Sequence, residues 1–259
     1  MIRTLTSAIA ICLAPPVAAQ GIDDVFDLSV RTGWRQSDGT HIAGLDVRLA
    51  PGWKTYWRQP GDAGIPPVFD WSASANLSDV QVLYPEPKVT WADGFRSIGY
   101  ADRVIFPLQI TSDDAGPIML GGVVQLGICE EICIPVQVRV MAELPATGGN
   151  DLSLKQAMDQ QITAGKGHVA CSFSPVDDAM ALTLHVPKSG GSAPELAVEY
   201  PQPKLWIAQP TVTDGGDYWI ATTTILSPSG KPTALERSSV RITSFSTKGA
   251  VEYMGCKGS

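Results

Sequence analysis

Ile118-Met119-Leu120-Gly121-Gly122-Val123-Val124-Gln125-Leu126-Gly127-Ile128-Cys129-Glu130-Glu131-Ile132-Cys133-Ile134-Pro135-Val136-Gln137-Val138-Arg139-Val140-Met141 holds two strand-like runs, 118–126 and 135–141. Apolar and β-branched residues dominate both, and the break between them is short, so the stretch predicts a β-hairpin with both cysteines at its tip. A bridge closing so short a loop gains little stability from chain entropy. At an exposed tip it is open to an attacking thiolate, the property of labile and catalytic disulfides. Two other readings stand beside a redox-active pair. One is an ordinary turn staple. The other is a thiolate metal site, against which only His41, His168 and His185 are available and none is near the pair in sequence. The C-x3-C spacing is not the C-x-x-C of a thioredoxin motif, and no βαβ pattern surrounds it.

Similar runs recur outward in both directions, at 41–49, 80–84, 104–110, 179–186, 196–200, 218–226 and 239–245. Each is broken by Gly, Pro, Asp or Ser, and the 20 prolines and 25 glycines suit a chain that turns often. That density of short strands predicts an all-β protein built from antiparallel sandwiches. Val82-Leu83-Tyr84-Pro85-Glu86-Pro87-Lys88 returns as Val198-Glu199-Tyr200-Pro201-Gln202-Pro203-Lys204. A strand run precedes and follows each copy, so the expectation is a duplicated domain rather than a solenoid. One helix is predicted at about 152–164, capped by Asp151 or Ser153 and stopped by Gly165, with Leu154, Met158 and Ile162 on one stripe. The expected layout is a first sandwich over 21–146, a linker with a short helix over 147–166, and a second sandwich over 167–259 that is a degenerate repeat of the first.

Residues 1–19 read as a cleaved signal peptide: Arg3, an apolar run over 5–13, then Val17-Ala18-Ala19 before Gln20. Cys12 falls inside that run and leaves with it, and the bulky Ile11 before it argues against a lipid-anchored cysteine. No later stretch approaches the ~20 consecutive apolar residues a spanning helix needs. A soluble exported protein is therefore expected. With 19 Lys and Arg against 26 Asp and Glu, the formal charge is −7. That balance argues against nucleic-acid partners and against docking on an anionic membrane. Four cysteines survive export, which permits three connectivities. Cys171 near the start of the second sandwich and Cys256 near its end predict a structural staple across it. No Ser-His-Asp set, P-loop, dinucleotide fingerprint or H-E-x-x-H motif is present, so hydrolase and nucleotide chemistry have no support. Asp23-Asp24, Asp113-Asp114 and Asp177-Asp178 read as solvated turns.

A family resemblance sharpens this reading. Gly52-Trp53-Lys54-Thr55-Tyr56-Trp57-Arg58-Gln59-Pro60-Gly61-Asp62 resembles the active-site strand and loop in the N-terminal periplasmic domain of the DsbD thiol:disulfide interchange family. Tyr84-Pro85-Glu86-Pro87-Lys88, Phe95, Tyr100, Arg103 and Pro107-Leu108 are similar to the stretch that follows, and the Cys129–Cys133 tip to the family's redox hairpin. The two-sandwich layout looks closer still to the ScsB branch, the DsbD-like reductases of copper-tolerance operons. The resemblance covers about 41–141 and is architectural beyond.

It implies an immunoglobulin-like domain that passes electrons by thiol–disulfide exchange, without cofactor or metal, as part of a protein-disulfide reductase. Its implied partners are thioredoxin-like periplasmic proteins. Family members shield the cysteines with a phenylalanine-bearing cap loop, matched here by Trp91-Ala92-Asp93-Gly94-Phe95. Phe95 is thus the cap candidate and Asp93 a nearby acid, while Tyr56 and Trp57 fall on the strand of the active-site aromatics. Membrane helices and a thioredoxin domain usually follow this module, and none follows here before Ser259, so the expectation is either that a separate DsbD-like membrane donor serves it or that the module has been reused. The alternative from another class is a non-catalytic adaptor or copper-handling module whose hairpin disulfide is structural.

Overall fold

The computed structural model describes residues 21–62, 64–188, 191–201 and 205–258. The expected signal peptide lies outside them, as do Gln202, Pro203 and Lys204 of the second Tyr-Pro copy. After a one-turn helix, α1 (Ile22–Val25), come β1 (Phe26–Arg35), β2 (His41–Leu49), β3 (Lys54–Gly61), β4 (Val68–Asp70), β5 (Asp79–Val82), β6 (Lys88–Ala92), β7 (Phe95–Ala101), β8 (Arg103–Thr111), β9 (Ile118–Cys129) and β10 (Cys133–Leu144). Helix α2 (Leu152–Asp159) leads to β11 (Thr163–Ala164), β12 (Ala170–Val176), β13 (Ala179–Pro187), β14 (Glu195–Glu199), β15 (Trp206–Ile207), β16 (Thr211–Asp214), β17 (Tyr218–Leu226), β18 (Arg241–Ser246), β19 (Gly249–Met254) and β20 (Lys257–Gly258).

These strands form four sheets, two from β1–β10 and two from β11–β20. The first pair has the orders β1-β2-β8-β5 and β10-β9-β3-β7-β6, with β4 also on β9. In the second pair the orders are β11-β19-β18-β14 and β15-β17-β13-β12-β20, with β16 on β17. The fold is all-β and immunoglobulin-like. The arrangement β1-β2-β8 returns as β12-β13-β17, and β10-β9-β3 returns as β19-β18-β14. The Tyr-Pro copies do not occupy corresponding places, however. Strand β5, before Tyr84, pairs with β8, whereas β14, before Tyr200, pairs with β18. The likeness of the halves lies in strand order and not in that motif's register.

Strand β2 is buried on both faces, which explains its continuous apolar run. Ala43, Leu45 and Val47 point into the first core, while Ile42 packs with Ile105 under Leu154 and Ala157 of α2. Asp151 caps α2, its carboxylate accepting from the Leu154 N–H at 3.0 Å. The helix is shorter than the predicted 152–164. Thr163 and Ala164 pair in parallel with Val251 and Glu252, so the strand ladder takes residues that periodicity assigned to the helix.

The two halves share packing. Ala197, Phe245 and Ala250 of the second half belong to the core cluster of the first. The Trp57 and Phe245 rings meet edge to face at 5.6 Å. Arg96, buried at 2% exposure, donates to the Leu196 carbonyl at 2.8 Å, and Glu86 accepts from the Ala250 N–H at 3.0 Å.

Candidate redox site

Cys129 ends β9 and Cys133 begins β10, directly opposite one another in the ladder. They are joined by a disulfide, with Cα atoms 4.2 Å apart. The second bridge joins Cys171 to Cys256 and encloses 85 positions of sequence. Strand β9 is interior to its sheet, between β10 and β3, and Cys129 pairs with Lys54 on the β3 side. Strand β10 is an edge. This difference in strand position divides the sulfurs: Cys129 is 2% exposed, whereas Cys133 is half-buried. Glu130, Glu131 and Ile132 make the exposed three-residue tip, and Ile132 stands 77% exposed.

Strand β3 supplies what touches the bridge. The Tyr56 hydroxyl lies 3.4 Å from Cys133 Sγ. While the sulfurs are bridged, only the phenol carries a hydrogen, so Tyr56 donates. Burial pushes the Tyr56 pKa up, with a counteracting hydrogen bond from Ser97, so the phenol keeps its proton at neutral pH. Lys54 Nζ donates to Ser97 Oγ at 3.4 Å. Lys54, Ser97 and Tyr56 thus form a polar chain leading to Cys133. Thr55, on the opposite face, donates its hydroxyl to the Gly127 carbonyl at 2.9 Å and fixes β3 to β9.

Tyr56 is buried because the loop after β3 lies over it. A Cβ at Gly64 would fall 2.4 Å from Tyr56 Cδ1, so the backbone crosses the ring in contact and no side chain fits there. Sequence reading missed Lys54, Ser97 and Gly64. A glycine just after the aromatic strand was the one visible signal, since close backbone approach is a standing reason for glycine.

The other residues singled out in the sequence are placed as follows. Trp57 leaves β3 on the core face, fully buried against Phe245, so it does not lie with the bridge. Alternation along the strand puts Tyr56 and Trp57 on opposite faces. Asp93 and Gly94 form the two-residue turn between β6 and β7, both in the left-handed region at φ 51° and 81°. An Asp-Gly pair is the preferred sequence for such a hairpin turn, which gives Asp93 a backbone role. Phe95 heads β7, two residues before Ser97 and on the same face, with 58% of its surface exposed.

The described residues contain no group of three or more His, Cys, Asp or Glu side chains arranged to hold a metal. A buried, bridged sulfur beside a more accessible one, with a phenol donor on the latter, is an arrangement suited to thiol–disulfide exchange.

A two-sandwich protein with a cross-strand disulfide at one hairpin tip is the class that fold and site define. Residues 23–145 match the family model described as "Thiol:disulfide interchange protein DsbD, N-terminal", and the first sandwich belongs to that family. The crystal structure of the N-terminal periplasmic domain of ScsB from Proteus mirabilis superposes with a TM-score of 0.69 at 23% identity. The match covers 93% of this chain and 96% of that one, so the likeness in fold extends through the second sandwich. Comparison with the curated proteins gives no match.

Proposed function

We propose that the protein is a periplasmic thiol–disulfide exchange protein that relays electrons through the Cys129–Cys133 pair. Its donor in this reading is a thioredoxin-like dithiol, and its clients are periplasmic thioredoxin-like disulfides. The observation that carries the reading is the asymmetry of the sulfurs, with Cys129 buried and Cys133 half-buried on an edge strand beside the Tyr56 hydroxyl. The periplasmic assignment draws on the fold shared with the ScsB domain, which is periplasmic. It also draws on the leader-like composition of residues 1–19. Among the described residues no helix is long and apolar enough to cross a membrane.

The steps follow from exposure. A donor thiolate attacks Cys133 Sγ, the Cys129–Cys133 bond breaks, and Cys129 leaves as a thiolate that takes a proton from solvent. The donor's second thiolate then attacks the donor sulfur of the mixed disulfide and releases Cys133 as a thiolate, which also takes a proton from solvent. The donor ends as a disulfide, and two electrons and two protons have passed to this pair. With a client disulfide the same steps run in the opposite sense, Cys133 attacking first. Tyr56 can donate to the Cys133 thiolate, whereas Glu130 and Glu131 beside it disfavour negative charge.

The test is a trap. Cys129→Ala and Cys133→Ala variants are incubated with periplasmic thioredoxin-like proteins and resolved on non-reducing gels. Mixed disulfides are expected with Cys129→Ala, where Cys133 survives, and not with Cys133→Ala. Adducts from neither variant, together with a wild-type potential below about −300 mV, the range of structural disulfides, would overturn the reading in favour of a structural bridge in an adaptor.

A further inference from the structure

Between Tyr56 and Gly61, strand β3 is not held by its own sheet. Its pairing with β9 covers only Lys54 and Thr55. Its pairing with β7 runs to Tyr56, opposite Gly99, and resumes at Gly61, opposite Ser97. Residues 57–60 therefore stand against Ile98 alone and bulge out of the ladder. A bulged segment of this kind takes its position in part from whatever else grips it.

What grips it is the second sandwich. The Arg58 guanidinium lies 3.9 Å from the Trp57 ring centroid and meets Glu199 through Nε at 2.9 Å and Nη2 at 3.0 Å. It also pairs with Glu252. Glu199 ends β14 and Glu252 lies on β19, so one side chain ties the bulge to two strands of the far domain. All three side chains are about four-fifths buried, where a forked guanidinium–carboxylate pair fixes geometry as well as charge. Trp57 adds the Phe245 contact. Tyr56 immediately precedes these two anchored residues, and its hydroxyl is the group at Cys133.

We propose that Arg58 is a positioning residue for the redox pair, and that the second sandwich, by gripping Arg58, fixes the Tyr56 phenol against Cys133. The inference rests on the exchange reading above and extends it, because it makes the far domain a determinant of sulfur reactivity rather than a spacer.

The experiment uses the full chain carrying Cys129→Ala, which leaves Cys133 as the free thiol of the tip. The rate of its alkylation by iodoacetamide is followed against pH. Tyr56→Phe removes the donor and should raise the midpoint of the profile by about one pH unit, an about tenfold loss of thiolate at neutral pH. Arg58→Ala should shift the midpoint in the same direction, and Arg58→Ala with Tyr56→Phe no further than Tyr56→Phe alone, because both act through one contact. Should Arg58→Ala fail to fold, Glu199→Gln keeps the guanidinium, weakens its anchor and carries the same expectation. A midpoint unmoved by these anchor variants, or shifts that simply add to that of Tyr56→Phe, would overturn the proposal. A wild-type chain that exchanges with no thioredoxin-like protein would overturn the exchange reading instead, and the alkylation profiles would still report the Arg58–Tyr56 coupling.

Discussion

Tyr56 and Trp57 are consecutive residues that serve different domains: the Tyr56 hydroxyl reaches Cys133 at 3.4 Å, and the Trp57 ring meets Phe245 at 5.6 Å. A strand alternates its side chains between faces, so one step along the chain crosses from the disulfide to the domain interface. Each side can be tested separately.

On the interface side, Trp57→Ala should cost about 3–5 kcal/mol, the range for removing a large buried aromatic. The ring is fully buried within a cluster drawn from both halves. Urea denaturation checks the value. A loss below about 1 kcal/mol would mean that the interface collapses around the gap at little cost.

On the disulfide side, mild reductant should open Cys129–Cys133 well before Cys171–Cys256. Each bridge joins a buried cysteine to a half-buried one, Cys129 to Cys133 and Cys171 to Cys256, so the order is set by loop closure rather than by exposure. The second bridge encloses 85 positions, for which loop closure contributes roughly 4–5 kcal/mol in the chain-entropy model. Differential alkylation across a dithiothreitol series measures the order. Simultaneous opening would favour a structural role for both.

Phe95→Ala separates a cap from a bystander. With the ring 58% exposed at the head of β7, its loss should change stability by less than about 0.5 kcal/mol. If the ring shields the tip, a bulky alkylating reagent should reach reduced Cys133 faster in the variant. An unchanged rate with an intact circular dichroism spectrum removes Phe95 from the site.

Acid should weaken the first sandwich through Asp46. Burial alone would raise this carboxyl, but hydrogen bonds from Arg103 and Arg31 outweigh it and hold the pKa at about 2. Arg103 Nε lies at 2.8 Å and Arg31 Nη2 at 2.6 Å. The folded value lies below the ordinary carboxyl value of 3.8, so the folded state binds fewer protons there than the unfolded chain. The contribution, about 2 kcal/mol, is present above pH 3.8 and is lost as the pH falls toward 2. Urea midpoints of wild type and Asp46→Asn should therefore differ at pH 7 and converge toward pH 2. A constant gap would assign the loss to packing rather than charge.

Local patterns were legible in the sequence, and contacts between distant segments were not. The runs 41–49 and 218–226 coincide with β2 and β17, because alternation and β-branching are properties of the strand itself. The tip carrying Cys129 and Cys133 was visible for the same reason. Strand β1 was not, since its register shifts between Arg31 and Trp34 and blurs the alternation. The side on which Trp57 acts depends on Phe245, far along the chain, and nothing near Trp57 announces it. Arg58 and Arg96 read as ordinary polar strand positions until Glu199, Glu252 and the Leu196 carbonyl stand beside them. The Tyr84-Pro85-Glu86 motif was legible as a motif but not in its use. Glu86 holds the Ala250 amide of the second half, so the first copy helps seat the two halves against one another.

The shared core also bears on how the redox sandwich can be handled as a piece. Residues 21–146 look separable on a map of strands, yet Ala197, Phe245 and Ala250 complete their cluster from outside. Cut away from the rest, that fragment would bare Trp57 to water and leave Arg58 and Arg96 without their acceptors. It is therefore a poor cassette for grafting onto another reductase, and a shortened version would misreport the chemistry of the whole. The unit that can be transplanted is the pair of sandwiches together.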